Sequence, residues 1–195
     1  MTTHLLYLHG FRSSPQSTKA RQVEAWVKRH APRVRWWCPQ LPSSPQEAIE
    51  GLQAELAWWP KGRIAIIGSS LGGFYATVLA ERLGCPAVLL NPAVDPARDL
   101  AAHIGETKAW HSEERFWFVP AYVDQLRAMT PGALAKPSRY FAVIATGDEV
   151  LDWREMSERY RGAHLRIVEG SDHALSGFDE HLPHLMHFLQ LAPSP

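Results

Sequence analysis

Short apolar runs and helically spaced apolar positions alternate along this chain. Residues 5–8, Leu-Leu-Tyr-Leu, form a compact run, as do residues 34–38, 64–67, 87–90, 140–145 and 165–168. Short runs of this kind, bounded by turn residues, predict buried strands. Between them the spacing changes to three and four. Ala20, Val23, Trp26 and Val27 mark one helix, and Ala48, Leu52, Leu56 and Trp59 mark a second. Leu71, Tyr75, Val78, Leu79 and Leu83 mark a third, and helices are predicted over 152–160 and 178–189. Ser13, Ser14 and Pro15 read as a loop and helix start, while Pro39, Pro42, Pro45 and Asn91-Pro92 punctuate later segments. Alternating strands and helices predict an α/β fold with an about six-stranded, mainly parallel sheet and helices on both faces. One domain over residues 1–195 is expected, ending in a loose tail at 192–195.

Residues 101–137 break this rhythm as a long insertion between the fourth and fifth strands. They contain Trp110, Phe116, Trp117, Phe118 and Tyr122. Insertions of this kind often form lids, and ligand sites tend to be aromatic-lined. Trp110, Phe116, Trp117 and Phe118 are therefore substrate-pocket candidates, against the alternative that they pack an extra helix onto the sheet.

The third strand runs into Gly68-Ser69-Ser70-Leu71-Gly72, a Gly-x-Ser-x-Gly sequence with Ser70 at its centre. A strand, a sharp glycine turn and a helix make the setting of a nucleophile elbow. Such a turn lifts the Ser70 hydroxyl off the sheet and sets the Leu71 N–H at a helix start, where donors lack partners. Ser69 occupies the first variable position and is expected to serve the turn.

Composition narrows the function classes. The chain is 46% hydrophobic and 21% charged, with Lys+Arg and Asp+Glu both at 20. Zero net charge argues against a nucleic-acid surface and gives no reason to expect binding to anionic membranes. No apolar run approaches a membrane span, and no signal peptide is evident, so a cytoplasmic chain is expected. Cys38 and Cys85 are expected as buried free thiols, with a disulfide between them as the alternative.

A serine nucleophile needs a base and an acid that orients the base. In elbow enzymes these follow in the order Ser, Asp/Glu, His, each on a loop after a strand. The sixth strand leads into Glu169-Gly170-Ser171-Asp172-His173, which makes His173 the candidate base. His164 precedes that strand and should lie at the opposite edge. His181, His184 and His187 drift around the final helix, unlike the i, i+4 pair that zinc would use. The fifth strand leads into Thr146-Gly147-Asp148-Glu149-Val150-Leu151-Asp152. Asp152 reads as a helix N-cap and Glu149 should point away, which leaves Asp148 as the acid, with an Asx-turn as its structural alternative. The oxyanion hole would use the backbone N–H groups of Leu71 and of Phe11, just after His9-Gly10, with His9 bracing its loop.

Five blocks in unbroken order resemble the YqiA-like esterases, small bacterial members of the α/β-hydrolase superfamily. They are Leu6-Tyr7-Leu8-His9-Gly10-Phe11 with Ser13-Ser14-Pro15; Gly68 to Thr77; Asn91-Pro92-Ala93-Val94; Thr146 to Asp152; and His173-Ala174 with Gly177-Phe178. The resemblance implies a compact hydrolase acting on acyl esters or thioesters without a cofactor, with Ser70 as nucleophile, Asp148 as acid and His173 as base. Two departures stand out: Gly170-Ser171-Asp172 precedes His173 where Gly-Asn is expected, and residues 101–127 match poorly.

The expectation is thus a serine esterase with a small-molecule ester substrate, no metal, and no nucleic-acid or membrane partner, as a monomer or weak homodimer. A non-catalytic binding protein on the same scaffold is the rival from another class, since fold does not fix function. A peptidase or lactone hydrolase on the same triad is the rival among enzymes.

Overall fold

The computed structural model describes residues 1–108 and 115–191. Six strands form one sheet: β1 (His4–Leu8), β2 (Arg35–Trp37), β3 (Ile64–Ser69), β4 (Ala87–Leu90), then, after an inserted hairpin, β7 (Tyr140–Ala145) and β8 (His164–Val168). Their spatial order is β2-β1-β3-β4-β7-β8, and every neighbouring pair is parallel. Of the six runs that predict buried strands, those of β1, β3, β4 and β7 are buried and central, and those of β2 and β8 are not. A strand covered on both faces has no polar side to alternate with, so its sequence is apolar throughout. The edge strands β2 and β8 are short or largely exposed.

Alternation along each strand divides the core between the two faces. Leu6, Leu8, Ile66 and Leu89 point to one face and pack with α2 (Pro45–Leu56), α3 (Leu71–Leu83), α5 (Pro120–Met129) and α6 (Trp153–Arg159). Leu5, Tyr7, Ala65 and Ile67 point to the other and pack with α1 (Thr18–His30) and α7 (Leu182–Phe188). This gives the expected sheet with helices on both faces.

Three local readings change. α1 starts at Thr18 with Ser17 as its N-cap residue, because Ser14 instead accepts the Gln16 N–H in the preceding loop. α2 begins earlier than its apolar spacing suggests: Pro45 is inside the first turn, behind Ser44, whose side chain accepts the Glu47 N–H. The predicted helix over 178–189 is divided into a 3₁₀ turn (Phe178–His181) and α7. Pro183 explains the break, since it has no N–H and its ring opposes the carbonyl four residues back.

A short helix α4 (Pro96–Asp99) precedes the insertion, which holds an antiparallel pair, β5 (Gly105–Lys108) with β6 (Arg115–Phe118), and then α5. The extra helix was anticipated and the hairpin was not. Trp110 and the predicted tail at 192–195 lie outside the described residues. Cys85 is buried and Cys38 half-buried; both are free thiols, and burial pushes each pKa up to about 12.

Strand order reverses direction of travel between β1 and β3. Open α/β sheets bind ligands outside the carboxyl ends of the strands at such a point. Here those ends carry His9-Gly10-Phe11 and Ser70.

Candidate active site

Ser70 alone makes the turn from β3 to α3, with φ 56° and ψ −121°. A non-glycine residue in that region costs of order 1–3 kcal/mol and persists only where its surroundings enforce it. Its N–H donates to the Leu90 carbonyl at 3.0 Å, and its carbonyl accepts from Gly73 at 2.8 Å and Ala93 at 3.0 Å. The motif glycines allow close approach. A Cβ on Gly68 would lie 2.2 Å from the Gly72 carbonyl oxygen, and one on Gly72 2.1 Å from that of Leu8.

His173 and Asp148 stand on the loops after β8 and β7. His173 Nε2 is 3.2 Å from Ser70 Oγ, and its Nδ1 is 2.7 Å from Asp148 Oδ2. A carboxylate only accepts, so Nδ1 carries the proton and the Nε2 lone pair faces the serine hydroxyl. The Asp148 side chain is fully buried, while that of His173 is 23% exposed. Asp148 Oδ1 accepts the Val150 and Leu151 N–H groups, each at 2.8 Å. The Asx-turn and the histidine contact are therefore compatible, because each uses a different carboxylate oxygen. Asp152 caps α6, accepting the Arg154 N–H at 2.9 Å.

Two residues join the site that the sequence did not single out for it. Asn91, buried at the end of β4, takes φ 41°. Its Nδ2 donates to the carbonyls of Asp172 and His173, and its Oδ1 accepts the Ala145 N–H at 2.8 Å. It ties the loop that carries His173 to β7. A polar residue ending a buried strand was the available signal. Glu149, expected to point away, turns toward the loop of His173: its Oε2 accepts the His173 N–H at 3.0 Å. The loops carrying Asp148 and His173 are also stitched directly, by Gly147 N–H to Ser171 O at 3.0 Å and Gly170 N–H to Thr146 Oγ1 at 3.0 Å.

Below Ser70, His9 is buried and braces the loop that carries Phe11. Its Nδ1 donates to the Gly10 carbonyl at 2.9 Å, and its Nε2 accepts the Leu41 N–H at 3.1 Å. Accepting at Nε2 requires the neutral ring, and burial lowers its pKa. Leu71 is the first residue of α3, where an N–H has no intrahelical acceptor. Phe11 and Ser70 line the same two cavities.

Those cavities flank the serine. One, of about 520 Å³, is walled mainly by Leu71, Ala93, Pro96, Leu100, Val150 and Leu151, and also by the ionisable Arg12, Asp99, His103 and Glu149. The other, of about 440 Å³, is bounded by Tyr7, Ser13, Ser17, Thr18 and Lys19. Trp110 and the side chain of Phe116 lie outside the described residues, and neither cavity is lined by Trp117 or Phe118. Alternation on β6 is the reason: Trp117 faces solvent at 65% exposure, and Phe118 faces the core at 1%. Phe118 reaches the site indirectly, edge-on to Phe11 with ring centroids 5.4 Å apart. The backbone of Phe116 pairs with Thr107 in the hairpin.

The chain resembles several solved structures over nearly its whole length. Alpha/beta hydrolase domain-containing protein 10 from mouse superposes with a TM-score of 0.72 at 14% identity, covering 97% of this chain and 91% of that one. Est1E from Butyrivibrio proteoclasticus gives 0.68 at 16% identity, covering 97% and 88%. A structure of the metagenome-derived lipolytic enzymes LipS and LipT gives 0.72 at 18% identity, covering 97% and 94%. At such identities the likeness speaks to the fold alone, and that fold is the α/β-hydrolase fold. The family model described as uncharacterised protein family UPF0227 matches residues 4–190, and the chain belongs to this YqiA-like family.

Proposed function

We propose that this chain is a serine esterase of one domain, hydrolysing carboxylic esters or thioesters of small to medium acyl chains. The observation that carries the reading is the row Ser70 Oγ, His173 Nε2, His173 Nδ1, Asp148 Oδ2, with separations of 3.2 and 2.7 Å at its two contacts. The elbow under Ser70 adds weight, as do the names of the structural neighbours Est1E and the lipolytic enzymes LipS and LipT.

In this reading His173 Nε2 takes the Ser70 proton as Oγ attacks the acyl carbon. The carbonyl π electrons move onto oxygen, and the N–H groups of Leu71 and Phe11 stabilise that oxyanion. Asp148 holds the ring tautomer and stabilises its charged form. When the tetrahedral intermediate collapses, the bond to the leaving oxygen or sulfur breaks and His173 returns its proton there. Water, deprotonated by His173, then releases the acid from the acyl-enzyme and restores Ser70. The apolar cavity is the acyl site in this account, and the substrate is a small molecule met in the cytoplasm.

The test is turnover of activated aryl esters by wild type, Ser70→Ala and Ser69→Ala. Ser70→Ala should lose nearly all turnover, roughly a millionfold as for nucleophile removal in other serine enzymes. Ser69→Ala should keep most of it. Equal, modest losses would contradict the assignment.

A further inference from the structure

The second cavity is built differently from the apolar one: beyond Ser70 and His173, it has walls that the catalytic row does not use. It reaches the N-terminus of α1, a helix of 13 residues. The Ser17 side chain caps none of the first N–H groups there, and the first turn holds no acidic residue. The first intrahelical bond of α1 runs from Arg21 N–H to Ser17 O, so the N–H groups of Thr18, Lys19 and Ala20 have no intrahelical acceptor. Thr18 and Lys19 line the cavity.

A second observation comes from another element. Tyr7 of β1 also lines the cavity and is wholly buried, yet its hydroxyl has no hydrogen-bond partner among the described residues. Ser17 and Ser69 are near enough to bear on its ionisation, but neither meets it with bonding distance and angle. An unmet buried hydroxyl costs about 1–3 kcal/mol, and a ligand oxygen would relieve that. Lys19 adds a half-buried ammonium that spends one donor on the Ala174 carbonyl at 2.8 Å. Two carboxylates face this ammonium. Asp148 is engaged with His173, and Asp172 accepts from the N–H and hydroxyl of Ser176.

We propose that this cavity is an anion subsite. The substrate arm lying opposite the apolar cavity carries a carboxylate or phosphate group, held by the first-turn N–H groups of α1, the Tyr7 hydroxyl and the Lys19 ammonium. Ser70, His173, Phe11 and Ala174 line both cavities, so an ester at Ser70 reaches both. The substrate assignment rests on the esterase reading of Ser70; the anion site itself does not.

The test has a kinetic arm and a binding arm. The kinetic arm compares kcat/KM for 4-nitrophenyl butyrate with two charged esters: 4-nitrophenyl hemisuccinate, charged on the acyl side, and a carboxy-substituted nitrophenyl butyrate, charged on the leaving group. One charged ester should exceed the neutral one by about tenfold or more, the size of a hydrogen bond to a charged group. Which one does so identifies the arm. Tyr7→Phe and Lys19→Met should each bring that ratio back toward one. Tyr7→Phe keeps the buried ring and removes only the unmet hydroxyl, so folding should be retained. A ratio near one for both charged esters in wild type, or a ratio that neither substitution moves, overturns the subsite. Equal loss on all esters in Lys19→Met, with no change of ratio in Tyr7→Phe, makes Lys19 a brace for the base loop and also overturns it. The binding arm measures succinate and inorganic phosphate by calorimetry on wild type and Tyr7→Phe. If no ester is turned over but an anion binds and the binding depends on Tyr7, the esterase reading falls and the subsite stands. If no anion binds and no ester is turned over, both fall.

Discussion

Asn91 Nδ2 donates to the His173 carbonyl at 3.2 Å, across 82 residues of chain. The same side chain holds the Asp172 carbonyl and the Ala145 N–H, so the loop carrying His173 is registered against β4 and β7. Asn91→Ala should leave the Ala145 N–H and two carbonyls without these partners. Each buried group left unmet costs about 1–3 kcal/mol. Urea unfolding should show that loss, and kcat/KM should fall further than the lost folded fraction explains, because the loop no longer fixes His173. An unchanged kcat/KM in the folded fraction would show that the loop holds itself.

Asp148→Asn should cost far more activity than Asp152→Asn. An amide next to His173 Nδ1 can favour the wrong tautomer, an effect of about ten-thousand-fold in the serine-protease case. Asp152 acts as the cap of α6, and Asn caps helices about as well. A larger loss at position 152 would reverse the two roles.

The two aromatic positions of β6 should separate cleanly. Trp117→Ala removes an exposed side chain and should change stability by no more than about 0.5 kcal/mol, without altering the ranking of acyl chain lengths. Phe118→Ala empties a core position against Phe11 and Tyr122 and should cost about 3–5 kcal/mol. The acyl ranking should respond instead to Leu100→Trp, which fills the apolar cavity. Each methylene that no longer fits would lose about 0.8 kcal/mol, roughly fourfold in kcat/KM. The measurement is kcat/KM across acetate, butyrate, hexanoate and octanoate esters for these variants. A shifted ranking in Trp117→Ala alone would restore the aromatic wall.

How much was legible in the sequence follows from where each signal resides. β1, β3, β4 and β7 were readable because burial on both faces leaves an uninterrupted apolar run, and the elbow because its glycines are local necessities. The hairpin was not, because Gly105-Glu-Thr-Lys carries no apolar alternation. Pro183 could have divided the last helix in advance. Glu149 and Asn91 were missed as parts of the site because their partners at His173 lie 24 and 82 residues away, and no local pattern encodes such contacts. The opposite facing of Trp117 and Phe118 was not legible, because it depends on a strand that the pattern did not reveal.

Acid should destabilise the fold partly through His9. Burial lowers its folded pKa, so the unfolded chain binds this proton more readily. Stability then rises with pH between the folded and unfolded values, and is lost as pH falls below the ordinary histidine value of about 6.5. His4 and His181 shift in the same direction, so the informative quantity is a difference between proteins. Unfolding free energy measured from pH 7.5 to 5 should fall less steeply in His9→Gln than in wild type, by at most about 1.4 kcal/mol per pH unit. Equal slopes would mean that His9 stays neutral in both states or is charged in both.

The central claim is that Ser70, activated by His173, is the nucleophile. Labelling with a fluorophosphonate followed by peptide mapping tests it most directly, because phosphonylation needs the activated hydroxyl and no knowledge of the natural substrate. The account predicts one phosphonate, on Ser70, with labelling greatly slowed in His173→Ala and retained in Ser69→Ala. No labelling of folded wild type, or a label on Ser69 or another residue, would contradict it.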